Sequence, residues 1–330
     1  MITSSAVRLL DPSSVAEARR VVMKHAEHLG FDEVARSNAS IVATELASNL
    51  VRHAQNGIIA VTGLASPVDA RILLVAVDKG PGVPDVAKCF EDGYSSAGSS
   101  GSGLGAVSRL AYGVDAFSTP QGTVLVAELA RRPRRNGEDL PVAGFACAKE
   151  GQGSNGDAWD CRLIERGVAV LMCDGLGHGV YACEASAAAV AVFRGTPWRS
   201  PKETMAAIGE ALRPTRGAAV AVAAIDADAG RLGYCGVGNI SACIVDHART
   251  RHLVSQNGIL GHTASRIAQF EYDWTAESSL VMHSDGISSR WQAHHLEPLW
   301  PRHPGLIAGR LYRDFARGND DVAVVVLRHT

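Results

Sequence analysis

Apolar positions along this chain change period several times, and each change marks an element. Asp11-Pro12 opens a run of helix formers that Gly30 closes, so a helix is expected there, with a cap residue ahead of a proline in the first turn. Asp32 can cap a second helix, in which Ala39, Val42, Leu46 and Leu50 recur at near-helical spacing. Asn56-Gly57 then reads as a turn into a strand over 58–64, followed by a second strand over 71–77 that stops at Asp78. The stretch 91–105 is rich in Gly and Ser and reads as a loop leading into a helix over about 104–112. Strands over 114–118 and 123–129 complete a compact unit. Further on, β-rich runs at 168–173, 218–225, 242–245, 279–283 and 322–327 are interrupted by helical segments at 181–194, 202–212 and 305–316. Blocks of strands and helices predict an α+β arrangement with two packed sheets and helices outside.

Between these patterns lies Arg131-Arg-Pro-Arg-Arg-Asn-Gly-Glu-Asp-Leu-Pro141, polar and bounded by prolines, which reads as a linker. With 330 residues the chain is expected to hold about two domains, at 1–130 and 142–330. Hydrophobic residues make up 46% of it and aromatics only 5%, so both cores must be built from Ala, Val, Leu and Ile. The formal net charge of -2 leaves no basic excess to neutralise a phosphate backbone, which argues against nucleic acid as a partner. No apolar run approaches a membrane span, and the opening residues lack a charged then apolar leader pattern, so a soluble cytoplasmic protein is expected. Seven irregularly spaced cysteines without a C-x-x-C read as reduced, mostly buried small side chains.

Two sets of polar residues stand out against this background. In the first half, Glu45 and Asn49 are four apart and project from one helix face, where Asn can offer a neutral oxygen to Mg²⁺ and Glu can take a proton from a hydroxyl. Asp78 ends a strand where a carboxylate can accept from an adenine amino group, and Gly80 and Gly82 let the backbone pass beneath the base. Gly101, Gly103, Leu104 and Gly105 lead into a helix whose N-terminal amides can hold phosphates. A Glu/Asn pair or a Gly-Ser loop is usually structural when met alone; the order and spacing of all of them carry the signal. In the second half, Asp157, Asp174, Asp285 and the pair Asp320/Asp321 come from four places in the chain, each at a strand end or Gly-rich turn. A two-cation site needs several carboxylates, one able to bridge.

The first set resembles the GHKL (Bergerat-fold) ATPase and kinase family, over about residues 5–130. Within it, Ala43-Thr-Glu-Leu-Ala-Ser-Asn49, Asp78-Lys-Gly-Pro-Gly-Val-Pro-Asp85, Asp92-Gly-Tyr-Ser95 and Gly103-Leu-Gly105 look most like the RsbT-type serine kinases of partner-switching systems. The resemblance implies an N-terminal α/β sandwich, ATP with Asn49 on Mg²⁺, Glu45 as catalytic base, Asp78 on adenine and residues 101–105 as a hinged lid. No dimerisation helix with a phosphoacceptor His is evident, which sets the chain apart from histidine kinases. The second set resembles the PPM/PP2C phosphatases in their SpoIIE-like branch, with RsbX as a near likeness, over about 142–329. Asp174-Gly-Leu-Gly-His-Gly179, Cys235-Gly-Val-Gly-Asn-Ile-Ser241 and Gly258-Ile-Leu-Gly261 carry that likeness. It implies a C-terminal αββα sandwich in which Asp174 bridges two Mn²⁺ or Mg²⁺ ions, with the Gly175 carbonyl, Asp157, Asp285 and Asp320 completing the shells. Asp320, the first of its pair, is preferred to Asp321.

The double resemblance implies a bifunctional serine/threonine kinase and phosphatase acting on a STAS-domain protein in a stressosome-like pathway, with a sigma factor or other regulator downstream and a homodimer left open. A second reading makes the N-terminal half an ATP-dependent partner-binding module of anti-sigma type beside an active phosphatase; retention of Glu45 argues for turnover.

Overall fold

The computed structural model describes residues 2–65, 70–86, 88–90, 103–132, 142–246, 249–263 and 266–328. In chain order its main elements are β1 (Ile2–Leu9), α1 (Pro12–His28), α2 (Glu33–His53), β2 (Gly57–Ala65), β3 (Ala70–Val77), α3 (Gly103–Leu110), β4 (Gly113–Thr119) and β5 (Gly122–Ala130). After the polar stretch come β6 (Val142–Cys147), β7 (Asp157–Ile164), β8 (Gly167–Gly175), α4 (Val180–Gly195), α5 (Pro201–Leu212), β9 (Ala218–Asp226) and β10 (Arg231–Val237). The chain ends with β11 (Ser241–Asp246), β12 (Arg249–His252), β13 (Ser255–Gln256), β14 (Gln269–Asp273), β15 (Ser278–His283), α6 (Pro304–Phe315) and β16 (Val322–Arg328). Most residues fall into two compact units, one holding 2–139 together with 301–314 and the other holding 140–300 with 315–330.

Local chemistry sets the helix ends of the first unit. The Asp11 carboxylate accepts from the Ser13 and Ser14 amides, and Ser14 answers through its hydroxyl, so α1 begins with a reciprocal cap ahead of Pro12. It ends where Gly30 turns to φ +68° and the Phe31 amide reaches back to the Ala26 carbonyl. Asp32 caps α2 through the Ala35 amide at 2.8 Å.

The five strands run in the order β1-β2-β3-β5-β4, and every pairing is antiparallel. One face of this sheet carries Ile59, Val61, Ile72, Leu74, Leu125 and Ala127 against α1, α2 and α3. The alternate residues, among them Ile58, Leu73, Val75, Val77, Val124 and Val126, are buried as well. Here the expected boundary at 142–330 meets a different arrangement: residues 301–314 pack on that second face. Gly309 lies so close that an added Cβ would stand 2.5 Å from Val124 and 3.0 Å from Val75. Polar anchors flank the helix. Arg302 pairs with Asp115 and donates to the Ala116 carbonyl, the His303 amide donates to Asp115, and Arg313 donates to the Gly122 carbonyl at 2.6 Å. His303 also lies 3.3 Å from Glu128, which is buried and paired with Arg71 at 2.8 Å.

In the second unit one sheet follows the path β13-β10-β9-β8-β7, with β14 also on β10, and the other runs β12-β11-β15-β16-β6. Ala169, Leu171 and Cys173 on one face of β8 pack with Ala185, Ala189 and Phe193 of α4 and Met205 and Ile208 of α5. Their neighbours Val168, Val170 and Met172 point the other way and are equally buried, as in a sheet covered on both sides. All seven cysteines are free, five of them buried. No described helix is long and apolar enough to cross a membrane.

Two expectations follow from this packing. Gly309→Leu should destabilise the chain by about 1–3 kcal/mol despite the better helix propensity of Leu, because valines of the sheet fill the space its side chain would need; a denaturation midpoint equal to that of the unaltered protein would refute it. His25 is buried between the Thr3 and Ser5 hydroxyls at 3.0 and 3.1 Å, and burial, with help from His28 and Lys24, pushes its imidazole down to about 4. The unfolded chain therefore binds the extra proton first. Stability should be intact above about 6.5 and fall by up to about 3 kcal/mol as the pH drops towards 4. Denaturant titrations at both ends of that window, compared with His25→Gln, check the size of the loss.

Candidate functional site

The end of β3 and the neighbouring helices assemble the first constellation. Glu45 and Asn49 share one half-buried face of α2. Gly103, the first residue of α3, is packed against them: a Cβ there would lie 2.7 Å from a Glu45 carboxylate oxygen and 4.0 Å from the Asn49 amide nitrogen. Asp78 follows β3 directly and is buried. Its Oδ1 accepts from the Gly80 amide at 2.7 Å, and burial raises its pKa against the opposing pull of that bond and of Arg313. Gly80 abuts the end of α2, and Gly82, at φ +71°, passes so close to the Thr119 carbonyl that a side chain has no room. Leu104 and buried Gly105 lie in the first turn of α3. Gly101 and the 92–95 segment lie outside the described residues. His53 is exposed, and only its carbonyl approaches Gly80.

The second constellation forms at one end of the β7–β8 pair. Register places Asp157 directly opposite Asp174, at the first residue of β7, one of the strand-end positions expected for these acids. Both carboxyls are driven up in pKa by burial first and by neighbouring carboxylates second: Asp157 well above the usual range, Asp174 to about 7. Asp285 and Asp320 are among the charges that repel Asp174, which puts the residues from separate loops in one place. Asp285, raised by burial and by Asp320, is partly relieved by Arg317 and by the Asn239 amide at 2.8 Å. The Asp157 Oδ2 atom is buried and has no hydrogen-bond partner. Gly175 is packed against the Ala182 carbonyl, and its amide is held by the Gly156 carbonyl.

Asp321 has another occupation. One of its oxygens accepts from the Lys149 amide at 2.7 Å and the other from the Gly156 amide at 2.6 Å. Its carboxylate closes the loop that leads into Asp157. Asp320 is exposed and accepts from the Asp321 amide at 3.0 Å. Ser284 was not singled out by its spacing, although it directly precedes Asp285. Its hydroxyl accepts from the Ala323 amide at 2.9 Å and bonds the Asp157 carboxyl. His178 is exposed, with Gln152 at 3.1 Å.

An unpartnered buried carboxylate oxygen in a crowd of acids is poorly served by protein alone and well served by hard divalent cations. The donor set therefore fits such ions. Among the described residues no three His, Cys, Asp or Glu side chains stand close enough to enclose an ion by themselves, so carbonyl and water oxygens would have to complete any shell.

Comparison with known proteins agrees with both halves. Residues 9–129 match the histidine kinase-like ATPase domain, and residues 164–330 match the Stage II sporulation protein E (SpoIIE) family. The serine/threonine-protein kinase RsbT of Bacillus subtilis (strain 168) is 35% identical over 118 residues, which is 36% of this chain and 86% of that protein. A chain from a structure described as "The bacterial stressosome: a modular system that has been adapted to control secondary messenger signaling" is 26% identical. It covers 58% of this chain and 100% of its own length, with a TM-score of 0.54. The structure of RsbX in complex with magnesium shares the fold, with 20% identity, a TM-score of 0.52, and coverage of 56% of this chain and 92% of that one. The chain thus belongs to the SpoIIE family of PP2C-type phosphatase domains through its C-terminal half, and through its N-terminal half to the histidine kinase-like ATPases, among the relatives of RsbT.

Proposed function

We propose that this chain is a cytoplasmic regulator that phosphorylates a serine or threonine of a STAS-domain protein with its N-terminal unit and removes that phosphate with its C-terminal unit. The observation that carries the second activity is the crowding of Asp157, Asp174, Asp285 and Asp320, with one buried oxygen unpartnered. Protein folding alone gives no reason to assemble these charges, since each repels the others.

In the kinase site Glu45 takes the proton of the acceptor hydroxyl, and Asn49, on the same helix face, presents a neutral oxygen to Mg²⁺ of the bound nucleotide. Asp78 is fixed by the Gly80 amide through one oxygen, leaving the other to accept from the adenine amino group. Gly80 and Gly82 keep side chains from beneath the base, and 101–105 closes over the phosphates. In the phosphatase site Asp157, Asp174, Asp285 and Asp320, with the Gly175 carbonyl, would hold Mg²⁺ or Mn²⁺. Bound there, such ions supply an activated water and offset the charge of the phosphoryl group. Asp321 holds the loop through two amides and is assigned a positioning role instead of a ligand role. Ser284 orients Asp157 from behind. Release of a sigma factor or another regulator by the STAS protein would be the output.

The alternative, a partner-binding module that uses ATP only for shape, is separated by labelling. With γ-labelled ATP, Mg²⁺ and a STAS-domain substrate, the Asp174→Ala chain should place label on Ser or Thr, and unaltered chain with Mn²⁺ should remove it. Glu45→Gln should slow transfer by about a hundredfold or more while ATP affinity changes little. Absence of label despite measured ATP binding would favour the binding module. Equal losses of affinity and rate would give Glu45 a structural role.

Asp157→Asn should act in opposite directions on the two states. Removing a buried charge from the acidic crowd should raise the thermal midpoint of the metal-free chain, while the Mn²⁺ needed for half-maximal phosphatase activity rises by about tenfold or more. Melting in EDTA and a metal titration read the two effects. A lower midpoint with unchanged metal demand would make Asp157 an ordinary core carboxylate.

A further inference from the structure

Beyond Asp174 the chain forms an exposed lip that the acid cluster does not use. Register extends from Asp174 opposite Ala219 and Gly175 opposite Ala218 to the Leu176 amide, which donates to the Gly217 carbonyl at 3.0 Å. Arg216 precedes Gly217 in the segment that leads into β9. Its guanidinium lies over the Tyr181 ring, 4.6 Å from the centroid, and one terminal nitrogen hangs above Gly177, within 3.2 Å of where a Cβ would be. It is exposed and makes no ion pair among the described residues. On the segment that carries Gly177 and Tyr181, the apolar side chains Leu176, Val180 and Tyr181 are 46%, 61% and 60% exposed. Single exposed apolar side chains are ordinary; three within six residues, one of them stacked under a guanidinium that makes no ion pair among the described residues, are a surface with a chemistry.

We infer that this lip is the docking surface for a phosphorylated polypeptide. Arg216 receives oxygens of the phosphoserine or phosphothreonine phosphoryl group, and Leu176, Val180 and Tyr181 receive an apolar residue beside it. The inference rests on the phosphatase reading. Charge is the first argument. A phosphoryl group held at the acid cluster still turns oxygens towards the rim, and a stacked arginine keeps its N–H fork free to give them two parallel bonds. Area is the second. A small phosphate monoester leaves the apolar rim uncovered, whereas a polypeptide segment crossing the lip buries it. Tyr181 serves both, holding Arg216 from below and offering its edge to the neighbouring side chain.

The test uses the full chain with Mn²⁺, p-nitrophenyl phosphate, and two synthetic phosphoserine peptides that differ in having Leu or Gly next to the phosphoserine. Arg216→Gln should raise the KM for the Leu peptide and the inhibition constant of inorganic phosphate by about tenfold, with kcat changed far less, and Arg216→Lys should recover part of the loss. Tyr181→Ser should lower the Leu-to-Gly peptide preference of the unaltered chain by about fivefold to tenfold. Unchanged phosphate inhibition in Arg216→Gln would overturn the inference, as would a chain with no preference between the peptides. So would equal loss on all three substrates in a folded variant. If the unaltered chain fails to hydrolyse p-nitrophenyl phosphate, the phosphatase reading itself has failed and this inference goes with it. Hydrolysis without any effect of the variants removes the inference alone.

Discussion

Like charges brought together at one end of the β7–β8 pair are the constraint on which the second unit is built. Carboxylates do not gather without being held, so the surrounding backbone has to be stiff. The register that sets Asp157 against Asp174 provides part of that stiffness. The rest comes from close approaches that only glycine permits: Gly156 beside Ala182, Gly175 against the Ala182 carbonyl and Gly286 against the Asp321 carbonyl. Asp321 contributes a further clamp, tying the amides of Lys149 and Gly156 to the strand end that follows it in sequence. An acidic residue thus spends its charge on backbone amides so that its neighbour Asp320 remains at the surface of the cluster. Without a cation this arrangement raises carboxyl pKa values and stores repulsion; with one, the same repulsion becomes affinity.

The first unit answers a different constraint. A sheet whose two faces are both apolar needs cover on both sides. Helices α1, α2 and α3 supply one layer, and residues 301–314 supply cover for the other face from a point far along the chain. The fit is specific. Gly305 and Gly309 admit Val126, Val124 and Val75 without a gap, and Arg302 and Arg313 fasten the two ends to Asp115 and to the Gly122 carbonyl. Gly122 in turn lies against the Asp78 carbonyl, so the covering helix is anchored at the start of β5, beside the residue that follows β3.

Much of this was legible in the residues, and the failures have physical causes. Strong periodicity gave α1, α2, α4 and α5 close to their observed limits, because capping residues and glycines mark ends chemically. Strand β1 escaped notice: Thr3, Ser4 and Ser5 break the apolar pattern, and the hydroxyls are used instead on His25 and Thr62. Strand β7 hid behind Asn155-Gly156, which reads as a turn until the pairing with β8 is known. The acids themselves were all visible. What spacing could not say was that the Asp321 carboxylate is engaged by two amides more than 160 residues away in sequence, while Asp320 is exposed. Helix α6 was placed correctly along the chain, yet nothing local told which sheet it would cover, because an apolar stripe records only that a partner exists.

On the proposed reading, the two sites make opposite demands. Transfer from ATP has to keep water away from the γ-phosphate, whereas hydrolysis has to admit it. Glu45 lies half-buried beside Gly103, the first residue of α3. Asp320 and the lip around Arg216 stand open to solvent. Carrying both on one chain fixes their stoichiometry, so the phosphorylated fraction of a shared substrate depends on the ratio of two rates and not on the relative abundance of two proteins. Such a pair would only consume ATP if both rates moved together. A useful regulator must therefore shift one site relative to the other, and the two sites differ in the handle they offer: nucleotide occupancy in the first unit, and in the second the divalent cations that relieve the crowded carboxylates.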